Sequence, residues 1–119
     1  MKNFKEDNLI QIKTFDFALN IIQFYSQCKS KNEFILSKQI LRCGTSIGAN
    51  VEEAIAAQSK KDFVSKLSIA NKEARETKYW LRLYQSSNLI EIETKPHLKE
   101  IESIINILTK IIKTSSENL

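Results

Sequence analysis

The stretch CGTSIGANVEEAIAAQSKKDFVSKLSIANKEARETKYWLRL, Cys43 to Leu83, decides the fold. Extended back to Gln39 and on to Tyr84, it reads as two helices joined almost without a loop. Ahead of Ser59, the residues Leu36, Ile40, Cys43, Ile47, Val51 and Ala54 fall within about a quarter of a helix circumference. Beyond Ser59, Phe63, Leu67, Ala70, Ala74, Thr77, Leu81 and Tyr84 alternate spacings of four and three, the seam of packed helices. Ser59 with Asp62 three residues on approximates a capping box, Asp standing for the usual Glu or Gln. A helix over residues 33–58 and a second over 60–86 therefore form an antiparallel hairpin. Counting outward from Ser59, Val51 meets Leu67, Ile47 meets Ala70, Gly44 meets Ala74 and Leu36 meets Leu81.

Gly44 and Gly48 sit inside the first of these helices, where each costs about 1 kcal/mol relative to alanine. Close approach of a neighbouring helix is the physical reason to keep them. With Ala74 expected opposite Gly44, the spacing predicts the tightest packing there.

Working outward, Leu9 to Gln27 carries apolar residues at helical spacing. Phe15, Ala18, Ile22 and Tyr25, widened by Leu19 and Ile21, are read as its core face. Cys28 to Asn32 lacks the pattern and reads as a loop. After Ser86-Ser87-Asn88, Thr94 is a candidate cap and Pro96 falls in the first turn of a last helix over 95–113. Its stripe is Leu98, Ile101, Ile105, Leu108 and Ile112, broadened by Ile104, Ile107 and Ile111. Residues 1–8 read as a frayed lead and 114–119 as a disordered tail. The expected fold is all-α: one antiparallel up-down-up-down four-helix bundle spanning residues 1–119.

Composition agrees. The chain has 119 residues, one proline and two glycines, too few turn formers for a sheet-rich fold. Cys28 and Cys43 have no metal-ligand spacing and suit a reducing compartment as small buried hydrophobes. No apolar run reaches the ~18 residues of a membrane span. Neither a signal nor a transit pattern opens the chain, so a soluble cytoplasmic protein with no membrane partner is expected.

Net charge is +4, and residues 60–90 alone carry seven basic and three acidic groups. On a helical wheel Lys60, Lys61, Lys72, Lys78 and Arg82 lie within about 60° of Arg75. Such a face attracts phosphates by counterion release, which points to structured RNA or DNA. The plainer alternative is a solvated face with pairs such as Lys72 to Glu76. Beside the basic face runs a mixed stripe of Ile69, Glu73, Glu76, Trp80 and Leu83. A lone bundle helix needs one apolar face, so Ile69, Trp80 and Leu83 suggest a subunit or inter-helix contact. Tyr79, Trp80 and Tyr84 are candidate base-stacking rings, with bundle packing the alternative for Tyr84.

No catalytic constellation emerges. The one histidine, His97, follows Pro96 at a helix start and reads as exposed. No Glu stands three residues before it, so the group of Asn50, Glu52, Glu53, Glu73 and Glu76 lacks the Glu-x-x-His pattern of a bundle metal site. No metal, cofactor or enzymatic activity is expected. These groups are read instead as inter-helix or inter-subunit polar contacts with Lys or Arg that set register.

Over Gly44–Ala54 and Ala70–Leu81 the sequence closely resembles the bacterial four-helix-bundle proteins encoded in intervening sequences of 23S ribosomal RNA genes. The resemblance implies an antiparallel four-helix bundle that assembles as a homopentameric ring. A related branch, the accessory variability protein of diversity-generating retroelements, is strongly basic and binds nucleic acid and a reverse transcriptase. Two functions follow as expectations: an oligomeric RNA-binding scaffold using the basic face of the third helix, or a structural module whose partner is another protein.

Overall fold

The computed structural model describes the backbone of residues 4–118 and the side chains of residues 9–118. Four helices, α1 (Phe4–Ser30), α2 (Leu36–Ile55), α3 (Lys60–Ser87) and α4 (Lys95–Glu117), pack into a bundle 46 × 21 × 20 Å. Each helix touches its chain neighbours, and α1 also touches α4. α1 and α3 therefore lie on one diagonal, α2 and α4 on the other. Successive cross-helix contacts run in opposite senses: Thr14 to Gly48 then Ile21 to Gly44 between α1 and α2, Arg42 to Glu76 then Glu53 to Lys66 between α2 and α3, Asn71 to Thr109 then Lys78 to Glu102 between α3 and α4, and Asn20 to Glu100 then Phe24 to His97 between α1 and α4. All four packed pairs are antiparallel.

The local chemistry explains the helix ends. Ser59 caps α3 by accepting from the Asp62 N–H at 3.0 Å, as its spacing predicts. α2 begins three residues later than expected, because Glu33 serves as its cap from outside the helix. One Glu33 carboxylate oxygen accepts from the N–H groups of Ile35 and Leu36, both at 2.9 Å, and the other from Ser37 at 3.2 Å. Asn88 closes α3 in the left-handed conformation, φ 54°, which asparagine tolerates better than most residues. Thr94 differs from expectation. Its side chain makes no capping bond and is buried, while its carbonyl accepts from the Leu98 N–H.

The core stripes of α2 and α3 follow the sequence spacing. Ile40, Cys43, Ile47, Val51 and Ala54 face Phe63, Leu67, Ala70, Ala74, Thr77, Leu81 and Tyr84, all buried. Leu36 is half-buried against this core. Three polar links fix the α2–α3 register: Glu53 with Lys66, Ser46 with Glu73, and Arg42 with Glu76. That register lies within two residues of the layers counted out from Ser59. In α4, Ile101, Ile104, Ile105, Leu108 and Ile111 are buried, with Leu98, Ile107 and Ile112 at the margins.

Helix α1 departs most from its sequence reading. Its buried stripe is Ile10, Thr14, Phe17, Ile21, Phe24 and Cys28, not the face of Phe15 and Ile22. Phe15 and Ile22 are exposed, and so is Leu19. The helix is apolar on two sides, and the side carrying Phe17 and Phe24 meets the bundle. Cys28 is helical and buried rather than in a loop, and Cys43 is also a buried free thiol. Burial pushes both thiols' pKa values up.

Two further expectations change. Of the expected frayed lead, Phe4 to Asn8 is helical, and residues 1–3 lie outside the described residues. The expected tail is also largely helical: α4 runs to Glu117, and Ser115 continues the stripe one turn past Ile111, buried. Leu119 lies outside the described residues. His97 is not an exposed helix-end residue. It is half-buried with its ring edge-on to Phe24, centroids 5.0 Å apart.

Candidate nucleic-acid interface and contact surfaces

The two glycines of α2 face α1. A Cβ on Gly44 would stand 3.1 Å from Ile21 Cγ2, and one on Gly48 would stand 3.3 Å from the Thr14 carbonyl oxygen. The nearest atoms to Gly44 are thus on Ile21, whereas the sequence count placed Ala74 opposite it. Ala74 is fully buried on α3. The flank of small residues admits α1 close to α2, because anything larger at position 48 would push on main chain. Thr14, buried at this crossing, satisfies its hydroxyl by donating to the Ile10 carbonyl at 2.8 Å.

The basic residues of α3 divide into two groups. Lys61, Lys72, Arg75 and Arg82 are exposed on the outer edge of the helix, with no ion pair among the described residues. Tyr79, 54% exposed, stands among them. The spacing Lys72, Arg75, Tyr79, Arg82 puts three cations and an aromatic ring on one helical row. Lys78 turns toward α4 and pairs with Glu102 at 2.6 Å. Lys60 is half-buried at the other end of the bundle, its ammonium 3.4 Å from the Asn118 carbonyl oxygen. Lys66, on the opposite side of α3 from Arg75, pairs with Glu53 at 2.9 Å. A hydrogen bond and the charge of Glu53 raise the pKa of that ammonium.

The stripe beside this edge is a polar seam between α2 and α3. Arg42 reaches across to Glu73 and Glu76. Glu73 also accepts from the Ser46 hydroxyl at 2.7 Å, and Glu76 from the Trp80 indole N–H at 3.0 Å. Of the carboxylates expected to set register, Glu73 and Glu76 are thus engaged by Arg42, a residue that sequence spacing alone did not single out, while Glu53 pairs with Lys66 and Glu52 accepts from Gln11. Trp80 is half-buried against the core, while Ile69 and Leu83 are exposed along the seam.

Across the bundle from α3, α1 presents Ile12, Phe15, Leu19 and Ile22 to solvent, in the three-four-three spacing of a helix-packing seam. A shallow groove between α1 and α2 borders it, lined by Phe15, Ala18, Thr45, Gly48, Ala49 and Glu52 among others. Among the described residues no cluster of three His, Cys, Asp or Glu side chains could hold a metal ion. None of the described helices is long and apolar enough to cross a membrane.

Comparison with known proteins fits this architecture. Residues 6–113 match the family described as 23S rRNA-intervening sequence protein. The chain belongs to that family. A crystal structure of a protein of unknown function from the S23 ribosomal protein family of Bacteroides thetaiotaomicron superposes with a TM-score of 0.85. The two chains are 44% identical over 91% of this chain and 98% of the other. No curated protein matches. The family assignment carries the bundle with it but names no reaction.

Proposed function

We propose that this member of the 23S rRNA-intervening sequence protein family is a non-enzymatic, self-associating scaffold in the cytoplasm that binds structured RNA along the outer edge of α3. The observation that carries the reading is the row of Lys72, Arg75, Tyr79 and Arg82, exposed and without carboxylate partners among the described residues. Three cations supply phosphate contacts, and an interleaved ring can stack on an unpaired base. Lys61 extends the edge by about three turns, whereas Lys60 and Lys78 have protein partners and contribute less. Self-association, as the homopentamer implied by family resemblance, would repeat this edge around a ring and multiply weak contacts.

The test is an anisotropy titration of labelled structured RNA and duplex DNA at two salt concentrations. Binding that weakens steeply with salt and disappears when Lys72, Arg75 and Arg82 are together replaced by Glu supports the reading. Binding unchanged by that triple replacement overturns it.

A second reading, a structural module for a protein partner, is favoured by Ile69 and Leu83 standing exposed beside half-buried Trp80. Absence of RNA and DNA binding at low salt would shift the weight to it.

A further inference from the structure

Helix α1 carries an apolar face that the bundle does not use. Ile12 is 55% exposed, Phe15 63%, and Leu19 and Ile22 48% each, with Leu9 beside them. At roughly 80–100 Å² apiece, judged from the size of large apolar side chains, these five expose about 450 Å². A stable contact takes about 800 Å² per partner, so the stripe and its flanks can form the centre of one. The flanks fit that role. From Leu9 to Cys28 the chain has only Lys13 and Asp16 as charged residues, and charge depletion marks interface centres.

Two candidate mates on a second copy can be compared. If α1 met α1 about a two-fold axis, the other exposed apolar row, Ile69 and Leu83 beside Trp80, would stay uncovered. If that row met itself, the basic edges of two α3 helices would come together with like charges opposed. The near-neutral α1 stripe against the α2–α3 seam covers both rows and opposes no like charges. The seam can also be covered without stranding a charge, since Arg42, Glu73 and Glu76 already pair with one another. With Leu9 included the lengths match: Leu9 to Ile22 spans about 20 Å of helix and Ile69 to Leu83 about 21 Å.

We propose that the outward stripe of α1, Ile12, Phe15, Leu19 and Ile22, docks on the Ile69–Trp80–Leu83 seam of a second copy of this chain. The contact joins two different faces. It is heterologous, and it closes into a ring when the rotation between copies divides the circle. This inference rests on the reading of the chain as self-associating and adds the pair of faces that meet. The α3 edge of Lys72, Arg75 and Arg82 lies at the rim of the contact and stays open to phosphates.

The experiment compares the native chain with the Phe15→Glu, Leu19→Glu double variant by sedimentation and circular dichroism. The native chain should sediment as a multiple of 13.7 kDa and the variant as a single chain with its helicity retained, because both positions face solvent. A second measurement does not depend on that variant folding. Phe15→Cys and Ile69→Cys proteins are mixed, allowed to exchange subunits and mildly oxidised, the native Cys28 and Cys43 being buried. A covalent pair that forms only when both variants are present supports the inference. A monomeric native chain, an unchanged mass in the double variant, or efficient cross-linking of Phe15→Cys with itself overturns it. RNA titration of the single-chain variant is read separately. Loss of RNA binding by the α3 triple variant with assembly intact bears on the α3 edge and leaves the α1 contact standing.

Discussion

Gly48 of α2 lies against the main chain of Thr14 in α1, so that a Cβ there would come to 3.3 Å from the Thr14 carbonyl oxygen. Gly44, one turn earlier, faces a side chain instead: its added carbon would meet Ile21 Cγ2 and Cγ1 at 3.1 and 3.2 Å. The two glycines serve the same helix crossing but differ in what resists them.

That difference gives a sign test. Gly44→Ala gains about 1 kcal/mol of helix propensity and loses about 1–3 kcal/mol to overpacking against the stiff, β-branched Ile21, for a net loss of about 1 kcal/mol. In an Ile21→Ala background the obstruction is gone, and Gly44→Ala should become stabilising. Gly48→Ala should find no such relief from Thr14→Ala, because the obstructing atom is backbone. Urea unfolding of the two double-mutant cycles checks this, with coupling at 44/21 and none of that sign at 48/14.

The cap on α2 should show in acid. Burial of the Glu33 carboxylate opposes its charge, but the N–H groups of Leu36 and Ile35 and the Ser37 hydroxyl and amide outweigh it and hold its pKa below the ordinary 4.5. A folded value below the unfolded one means stability present above pH 4.5 and lost as pH falls through the folded value. Glu33→Ala should cost about 1 kcal/mol at pH 7, the usual worth of a cap, and almost nothing at pH 2. Thermal unfolding of both proteins at the two pH values measures the convergence.

His97 should act in a higher window. Burial lowers its pKa below the ordinary 6.5, partly opposed by Glu100 and Glu93, and its ring packs on Phe24. The neutral ring is the folded form, so its contribution is present above pH 6.5 and declines as pH falls through the depressed value. His97→Leu keeps the volume and removes the titration. The native chain should lose stability on going from pH 7 to pH 5, and the variant should lose less over the same range. Parallel losses in the two proteins would show that His97 does not titrate with folding.

Along α3 the basic residues should not be equivalent. On the proposed RNA-binding reading, replacing Arg75, Lys72 or Arg82 by Ala should each reduce the salt dependence of binding by about one counterion. Lys78→Ala should reduce it less, since Glu102 holds that ammonium at 2.6 Å in the free protein. Binding isotherms across a salt series give the four slopes directly. Equal slopes would mean that the Lys78 pair opens on binding.

The α2–α3 hairpin was legible in the chain because each of its helices has one unbroken apolar row, the second row of α3 being interrupted by Glu73 and Glu76. Phe63, Leu67, Ala70, Ala74, Thr77, Leu81 and Tyr84 recur at a spacing that leaves one way to face a core, and all are buried. Ser59 likewise announces a helix start by local chemistry and makes that bond. Register followed from counting out of a short turn. The Glu33 cap was harder to see, since it acts from outside the helix, three residues before Leu36.

In α1 the sequence determined that a helix forms and that it is apolar, and no more. Phe15 and Ile22 are as hydrophobic as Phe17 and Ile21, and the wheel weighs both faces alike. Which face turned inward was decided by shape: Ile21 and Thr14 fit the hollow left by Gly44 and Gly48. Local periodicity reports where a helix is apolar, while only the packing of four helices at once decides which apolar face is covered. Tertiary structure likewise set apart Lys78, engaged by Glu102, from Lys72, Arg75 and Arg82 on the same face. The sequence fixes where charges sit along one helix, but the partner that neutralises one of them comes from another.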